Sequence, residues 1–179
     1  PPKRVWNMAS HNAELGGTNL LSSLLPDRRF PFPKSLYAVE DLLRFYLSES
    51  LDAVVVDFFA GSGTTAHAVM RLNSQDGGRR QAILVTNNEV AASEQAAMRK
   101  AGLRPGDPEW EARGICDYVT KPRIEAAITG VATDGKVVEG NYKFTDEAPI
   151  ADGFLENAEF FTLTYESQLS VVSNRDFER

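Results

Sequence analysis

From residue 34 onward the apolar positions fall at helical intervals. Leu36, Val39, Leu42, Leu43, Tyr46 and Leu47 recur at spacings of three and four, which predicts an amphipathic helix ending near Ser50. The pattern then becomes continuous. Ala53, Val54, Val55 and Val56 stand between Asp52 and Asp57 and are followed by Phe58 and Phe59, a run that predicts a strand buried on both faces of a parallel sheet. Turn residues occupy 60–63, a helical composition resumes over 64–72, and the polar stretch 73–80 breaks it before a second apolar run at 81–86. Together 53–86 make a βαβ unit of ordinary size, so the sheet is expected to be parallel. Further on, 89–101 is helical in composition, 102–108 reads as a loop, and 110–129 reads as a helix with a break near Pro122.

The two ends of the chain differ from this centre. Residues 1–33 carry Gly16, Gly17, Pro26, Pro31 and Pro33 and are expected to form an extended linker with one short helix around 19–25. After Gly130, the runs 136–144 and 154–165 alternate enough to predict late antiparallel strands, with a polar tail from Glu166. The expected division is therefore a linker segment at 1–33, an α/β core at 34–130 and a β-rich extension at 131–179.

Composition narrows the classes. A chain of 179 residues that is 42 % hydrophobic and 9 % aromatic can build a core, which excludes a disordered tail. A formal charge of −6 argues against a strong nucleic-acid binder acting alone, because phosphate contacts need clustered Lys and Arg. No apolar run approaches the roughly 18 residues of a membrane helix, and Pro1-Pro2-Lys3-Arg4 does not open a signal peptide, so a soluble, cytoplasmic protein without a membrane partner is expected. One cysteine, Cys116, and two histidines, His11 and His67, offer no metal-ligand spacing, and no metal site is expected.

The most informative segment is Asp57-Phe-Phe-Ala-Gly61-Ser-Gly63-Thr-Thr65. A strand ends at Phe59, and glycines at 61 and 63 let the backbone approach a ligand at the carboxyl edge of the sheet. Backbone N–H groups at the start of the following helix face the same crevice, and Asp57 supplies a carboxylate for a cationic or hydroxyl-bearing group. This combination suits an adenosine-containing cofactor. No Lys follows Gly63, which disfavours a phosphate-binding loop of the nucleotide triphosphatases. Ala66 stands where the dinucleotide fingerprint has its third glycine, a tolerated variant, so nicotinamide dinucleotide binding remains an alternative at this point.

Residues 57–69 resemble motif I, the cofactor-binding motif of the β-class DNA amino-methyltransferases, especially the modification subunits of type III restriction systems. Upstream, Phe30-Pro-Phe32-Pro33-Lys34-Ser35-Leu-Tyr37 is similar to motif X of the same family, with Ser35 where a second proline is usual. That family's permuted order places motif X directly before motif I, and the spacing here fits. The resemblance implies an α/β, Rossmann-like class I S-adenosylmethionine-dependent methyltransferase fold, of which this chain would be the cofactor-binding half. It implies that Phe32, Pro33, Lys34 and Ser35 hold the methionine end of S-adenosylmethionine, with Lys34 near the carboxylate. Asp57 would reach the amino group, and Phe59, Ala60, Gly61 and Gly63 would wrap the methionine and ribose. Thr64 and Thr65, at the helix start, would either cap the helix or meet the carboxylate. The family's second strand normally ends in an acidic residue that accepts both ribose hydroxyls; Glu89 is the residue expected here, with Thr86 and Asn88 as alternatives. His67 is expected to pack or cap, and Arg123, in Lys121-Pro122-Arg123-Ile124, to make a structural ion pair.

Methylation of an exocyclic base amine requires acceptors for the amine and an aromatic ring against the flipped base, which this family supplies as Asp-Pro-Pro-Tyr. The chain has no such tetrapeptide, and Asp107-Pro108-Glu109-Trp110 reads as a helix start with Asp107 as cap and Pro108 at the first helical position. In the β-class order the catalytic motif lies upstream of motif X. The chain is therefore expected to be the C-terminal, cofactor-binding part of an adenine-N6 DNA methyltransferase of a restriction-modification system. It would have no catalytic residues of its own, would meet DNA mainly through an upstream region, and would have a restriction subunit or a second copy as protein partner. A cytosine-N4 enzyme and a non-catalytic nucleotide-binding scaffold are the alternatives.

Overall fold

The computed structural model, which describes residues 6–28 and 30–163, has the short helix expected around 19–25 and adds further helical turns before it, where the sequence predicts an extended linker. A turn at Ala9–His11 leads to a wide helical turn, Glu14–Asn19, that runs directly into helix α1, Leu20–Leu24. Leu20, Leu21, Leu24 and Leu25 enter the main apolar cluster with Leu36, Ala68, Val119, Val138 and Ile150. Each fully buried leucine contributes roughly 1.5–3 kcal/mol, so this segment is part of the core. Gly16 and Gly17 serve close packing here. A Cβ on Gly16 would collide with the Ser35 hydroxyl, and one on Gly17 would stand 2.5 Å from the Pro33 carbonyl oxygen. The strap formed by residues 30–35 thus lies directly on helical backbone.

Helix α2, Leu36–Leu47, turns Leu36, Tyr37 and Glu40 inward and stops three residues short of the predicted end at Ser50. Strands β1, Val54–Asp57, and β2, Gln81–Leu84, pair in parallel with Val54 opposite Gln81 and Asp57 opposite Leu84. The parallel pairing agrees with the sequence, but burial on both faces does not. Side chains alternate across a strand, and the face carrying Val54, Val56 and Ile83 is 55, 48 and 51 % exposed, because no described element covers it.

Helix α3, Thr64–Asp76, crosses from β1 to β2 and is buried from Ala66 through Asn73. It outlasts its predicted end at Leu72 because Asn73 is satisfied in place: its Nδ2 donates to the Arg80 carbonyl at 3.0 Å and its Oδ1 accepts from the Arg80 N–H at 3.0 Å. Gly77, at φ +71°, ends the helix in a left-handed residue. Between α2 and α3 lies a buried ion pair, Glu40 with Arg71 at 2.6 Å, each side chain 1 % exposed. Arg44 and Gln75 also donate to Glu40, at 2.7 and 3.0 Å, and the Arg71 guanidinium lies 4.2 Å from the centroid of the Tyr142 ring.

Helices α4, Ala92–Lys100, and α5, Pro108–Glu111, follow. Pro108 occupies the first turn of α5 as the sequence predicts, but the Asp107 carboxylate accepts from the Arg104 N–H at 2.6 Å instead of capping the helix. A wide turn, Cys116–Thr120, then feeds helix α6, Lys121–Thr129, with Pro122 in its first turn, where a missing N–H does no harm. The late antiparallel strands are a correction: among the described residues no strand follows β2. Residues 131–163 make only isolated antiparallel bridges, Val131 with Val137 and Asn141 with Pro149, and a short turn at Ile150–Asp152. Gly135 and Gly140, both at positive φ, turn the backbone before a ladder can lengthen, while Val138, Tyr142 and Ile150 plug singly into the core. The predicted strand end at 164–165 and the tail from Glu166 lie outside the described residues.

Candidate functional site

The turn after β1 is fixed from three sides. From the sheet, the Ala60 N–H donates to the Val85 carbonyl at 3.2 Å and the Val85 N–H to the Asp57 carbonyl at 2.8 Å, so the ends of both strands are tied at the carboxyl edge. From within, Asp57 braces its own loop: Oδ1 accepts the Phe59 N–H at 3.0 Å and Oδ2 accepts the Thr65 hydroxyl at 2.6 Å. From the wide turn that feeds α6, the Thr120 hydroxyl donates to the Gly61 carbonyl at 2.6 Å. Gly61 and Gly63 take φ of +54° and +76°, a region that L side chains rarely adopt. A Cβ on Gly61 would meet only the Phe30 ring, 3.7 Å away, and the Phe59 carbonyl oxygen at 3.8 Å, so conformation more than crowding demands glycine there.

That contact brings the strap to the turn. Phe32 adopts φ +57°, rare for a bulky residue, and is 91 % exposed, as Phe59 is 92 % exposed in the turn after β1, which ends at Asp57 and not at Phe59 as the sequence predicts. Two rings displayed in this way give an apolar ligand body something to lie against. Lys34 is exposed, whereas Pro33 is buried and Ser35 is buried with its hydroxyl donating to the Ser10 carbonyl at 2.7 Å. Of the two threonines, Thr65 is half-buried on Asp57, and Thr64 is buried against the Ser62 hydroxyl at 3.2 Å; neither caps α3, whose cap is Gly63. Beyond β2, Asn88 is engaged by the Glu111 carbonyl at 2.8 Å and the Asp117 N–H at 3.1 Å, and Thr86 donates to the Asn87 carbonyl at 3.2 Å. Glu89 is exposed; among the described residues its carboxylate accepts only from Asn87, at 3.3 Å, while its backbone carbonyl accepts from the Ile115 N–H at 3.0 Å.

Behind the turn lies a group of buried side chains. Arg123 of α6 is fully buried and donates from Nη1 to the Ser62 carbonyl at 3.3 Å, the Ser62 hydroxyl at 2.9 Å and the Thr64 hydroxyl at 2.7 Å. The expected ion pair is not made: no carboxylate among the described residues pairs with Arg123, because its fork points at the turn's neutral oxygens. Burial pulls the guanidinium down to about 10, which leaves it cationic at neutral pH. His67 is sealed beside it, its Nε2 2.8 Å from the Tyr142 hydroxyl. Burial first, then the charges of Arg123 and Arg71, hold the imidazole well below its ordinary range, so it is neutral and out of reach of any substrate. Burial likewise pushes the Tyr142 hydroxyl up.

Of the residues the sequence names, the structure joins Asp57 to Thr65 within one turn and brings the strap to it through Phe30; the supporting roles of Thr120, Ser62, Gly16 and Gly17 escaped sequence reasoning. Small residues carry no periodic signal, and Gly-Gly reads as a turn in the absence of its partner surface. Among the described residues no helix is long and apolar enough to cross a membrane and no group of acidic, His or Cys side chains could hold a metal ion.

Comparison with known proteins gives the family. A family model described as DNA methylase matches residues 1–96, just over half of the chain and all of the strap, turn and both strands. The chain is similar to the type III restriction-modification enzyme StyLTI Mod subunit of Salmonella typhimurium, 33 % identical over 144 residues, covering 80 % of this chain and 21 % of that protein. It is also similar to the type II methyltransferase M.KpnI of Klebsiella pneumoniae, 37 % identical over 102 residues, which is 57 % of this chain and 24 % of that one. The type III EcoPI Mod subunit of Escherichia phage P1 is 38 % identical over 89 residues, 50 % of this chain and 13 % of its own length. The chain therefore spans about a fifth of the length of the first of these relatives.

Proposed function

Because the chain belongs to the DNA methylase family, we propose that it is the S-adenosylmethionine-binding part of a site-specific DNA methyltransferase of a restriction-modification system, acting on adenine N6. The observation that carries this reading is the turn from Asp57 to Gly63, locked by Val85 at the sheet edge and by Thr120 just before α6, with the strap ring Phe30 beside Gly61. A Rossmann-like cofactor cleft has its ligand at this edge. The residues fit the cofactor. Phe32 and Phe59 offer exposed rings to the adenosine and thioether carbons, Glu89 an available carboxylate to the ribose diol, and Lys34 a cation to the methionine carboxylate. Asp57, Ala60, Gly61, Gly63 and Thr65 form the floor, while Pro33, Ser35 and Thr64 hold strap and turn in place from behind. The cofactor supplies an electrophilic methyl group on a sulfonium; these residues bind it and fix its direction.

None of the 179 residues forms the Asp-Pro-Pro-Tyr tetrapeptide that engages a target amine, so this chain by itself binds cofactor without methylating DNA. DNA contact and any restriction partner belong, in this reading, to surfaces beyond the cofactor turn.

The test is a calorimetric titration of the whole chain with S-adenosylmethionine, S-adenosylhomocysteine and, separately, NADH. Saturable binding of the first two and none of the third is expected. Binding of NADH alone would assign the turn to a dinucleotide, and binding of none would remove the cofactor role. In a protein that joins this chain to a catalytic tetrapeptide, labelled methyl groups should appear in DNA as N6-methyladenine; N4-methylcytosine would overturn the base assignment.

A further inference from the structure

Of the three arginines buried on or against α3, Arg71, Arg80 and Arg123, two are neutralised, Arg80 by Asp76 at 2.9 Å. Arg71 pairs with Glu40 at 2.6 Å, whereas Arg123, equally sealed, meets only the neutral oxygens of Ser62 and Thr64. Its Nε and Nη2 have no hydrogen-bond partner among the described residues. A buried cation without a counter-charge is costly, and folds that need only a hydrogen-bonded brace for a turn can use neutral donors. The uncompensated charge sits directly behind the first turn of α3, where helix N–H groups already favour an anion.

We propose that Arg123 is a positioning residue that makes the start of α3 selective for a carboxylate, so that the amino-acid end of the cofactor supplies the counter-charge this guanidinium lacks in the protein. Through Nη1 it fixes Ser62 and Thr64, and through its charge it sets the potential on the ligand side of the turn. It touches no ligand itself, since it is fully buried. The inference rests on the cofactor assignment above and adds to it which end of the ligand the buried charge reads. At an effective dielectric near 20, a unit charge about 10 Å from a carboxylate changes its affinity on the order of tenfold.

Two ligands that differ only in this group separate the charge from the fold: S-adenosylmethionine and its decarboxylated form. The whole parent chain is expected to prefer the carboxylated ligand, and Arg123→Met to reduce that preference on the order of tenfold while affinity for the decarboxylated ligand changes much less. Arg123→Gln, which keeps an amide donor for Ser62 and Thr64, should lose the preference likewise, and Arg123→Lys should keep it. If Arg123→Met does not fold, the Gln variant and the parent's own preference still decide the matter. A parent that binds both ligands equally, or a neutral variant that retains the parent's preference, overturns the proposal and leaves the cofactor site standing. A parent that binds neither ligand overturns the cofactor site itself.

Discussion

Replacing Glu40 by Gln keeps its shape and removes one charge from the centre of the α2–α3 interface. In the parent, the carboxylate accepts from Arg71 Nε at 2.6 Å, Arg44 Nη2 at 2.7 Å and Gln75 Nε2 at 3.0 Å. After substitution Arg71 remains buried with an uncompensated charge; its other contacts are the Tyr142 and Tyr37 ring faces and a long donation to the Asp146 carbonyl at 3.4 Å. Breaking a buried pair by removing one partner costs about 3–5 kcal/mol. At roughly 2–4 °C per kcal/mol for a domain of this size, Tm should fall by about 6–20 °C. The double variant Glu40→Leu with Arg71→Met removes both charges and should recover most of that loss, giving a coupling energy of at least about 2 kcal/mol. Urea unfolding of the parent, the Gln variant, the Leu and Met single variants and the double measures each term. The reasoning is refuted if Glu40→Gln stays within about 1 kcal/mol of the parent, or if the double loses as much as its two singles summed.

Three further outcomes follow from positions already described. His67 is held neutral, so its folded pKa lies below the unfolded value of about 6.5; its contribution is complete above that pH and declines as pH falls, by up to about 1.4 kcal/mol per unit. His67→Gln should flatten the acid limb of a plot of urea midpoint against pH, and an unchanged limb would reject this origin. Gly17→Ala places a Cβ 2.5 Å from the Pro33 carbonyl oxygen and should destabilise the chain by about 1–3 kcal/mol in chemical denaturation. The same variant should weaken S-adenosylmethionine binding by shifting the strap; a stable, fully binding variant would contradict the close approach. Gly61→Val puts a β-branched side chain at φ +54°, a strain of roughly 1–3 kcal/mol, and should abolish calorimetric cofactor binding while circular dichroism still reports a folded chain.

The centre of the fold was legible because it obeys strong local rules. The strand at Val54–Val56, the glycines at 61 and 63 and the parallel pairing of the two strands all follow from pattern and turn chemistry. What escaped depended on partners distant in sequence. Asn73 stays helical through Arg80, Gly17 has no room for a side chain because Pro33 crosses it, and Arg123 stands opposite Ser62, 61 residues away. Alternation at 136–144 suggested strands, yet Val138 and Tyr142 are buried as separate plugs between glycine bends, a state that two-residue periodicity cannot distinguish from a ladder.

The crossing at Gly17 changes where this domain can be cut. A minimal fragment drawn at the motif boundaries would start near residue 30 and keep every side chain proposed to touch ligand. It would discard Leu20, Leu21, Leu24 and Leu25 from the core and strip the surface that sets the height of the strap over Gly61. Such a fragment would carry all the letters of a binding site with no instrument to align them. Trimming experiments should therefore lose ligand affinity in a step between residues 8 and 25, well upstream of the first recognisable motif.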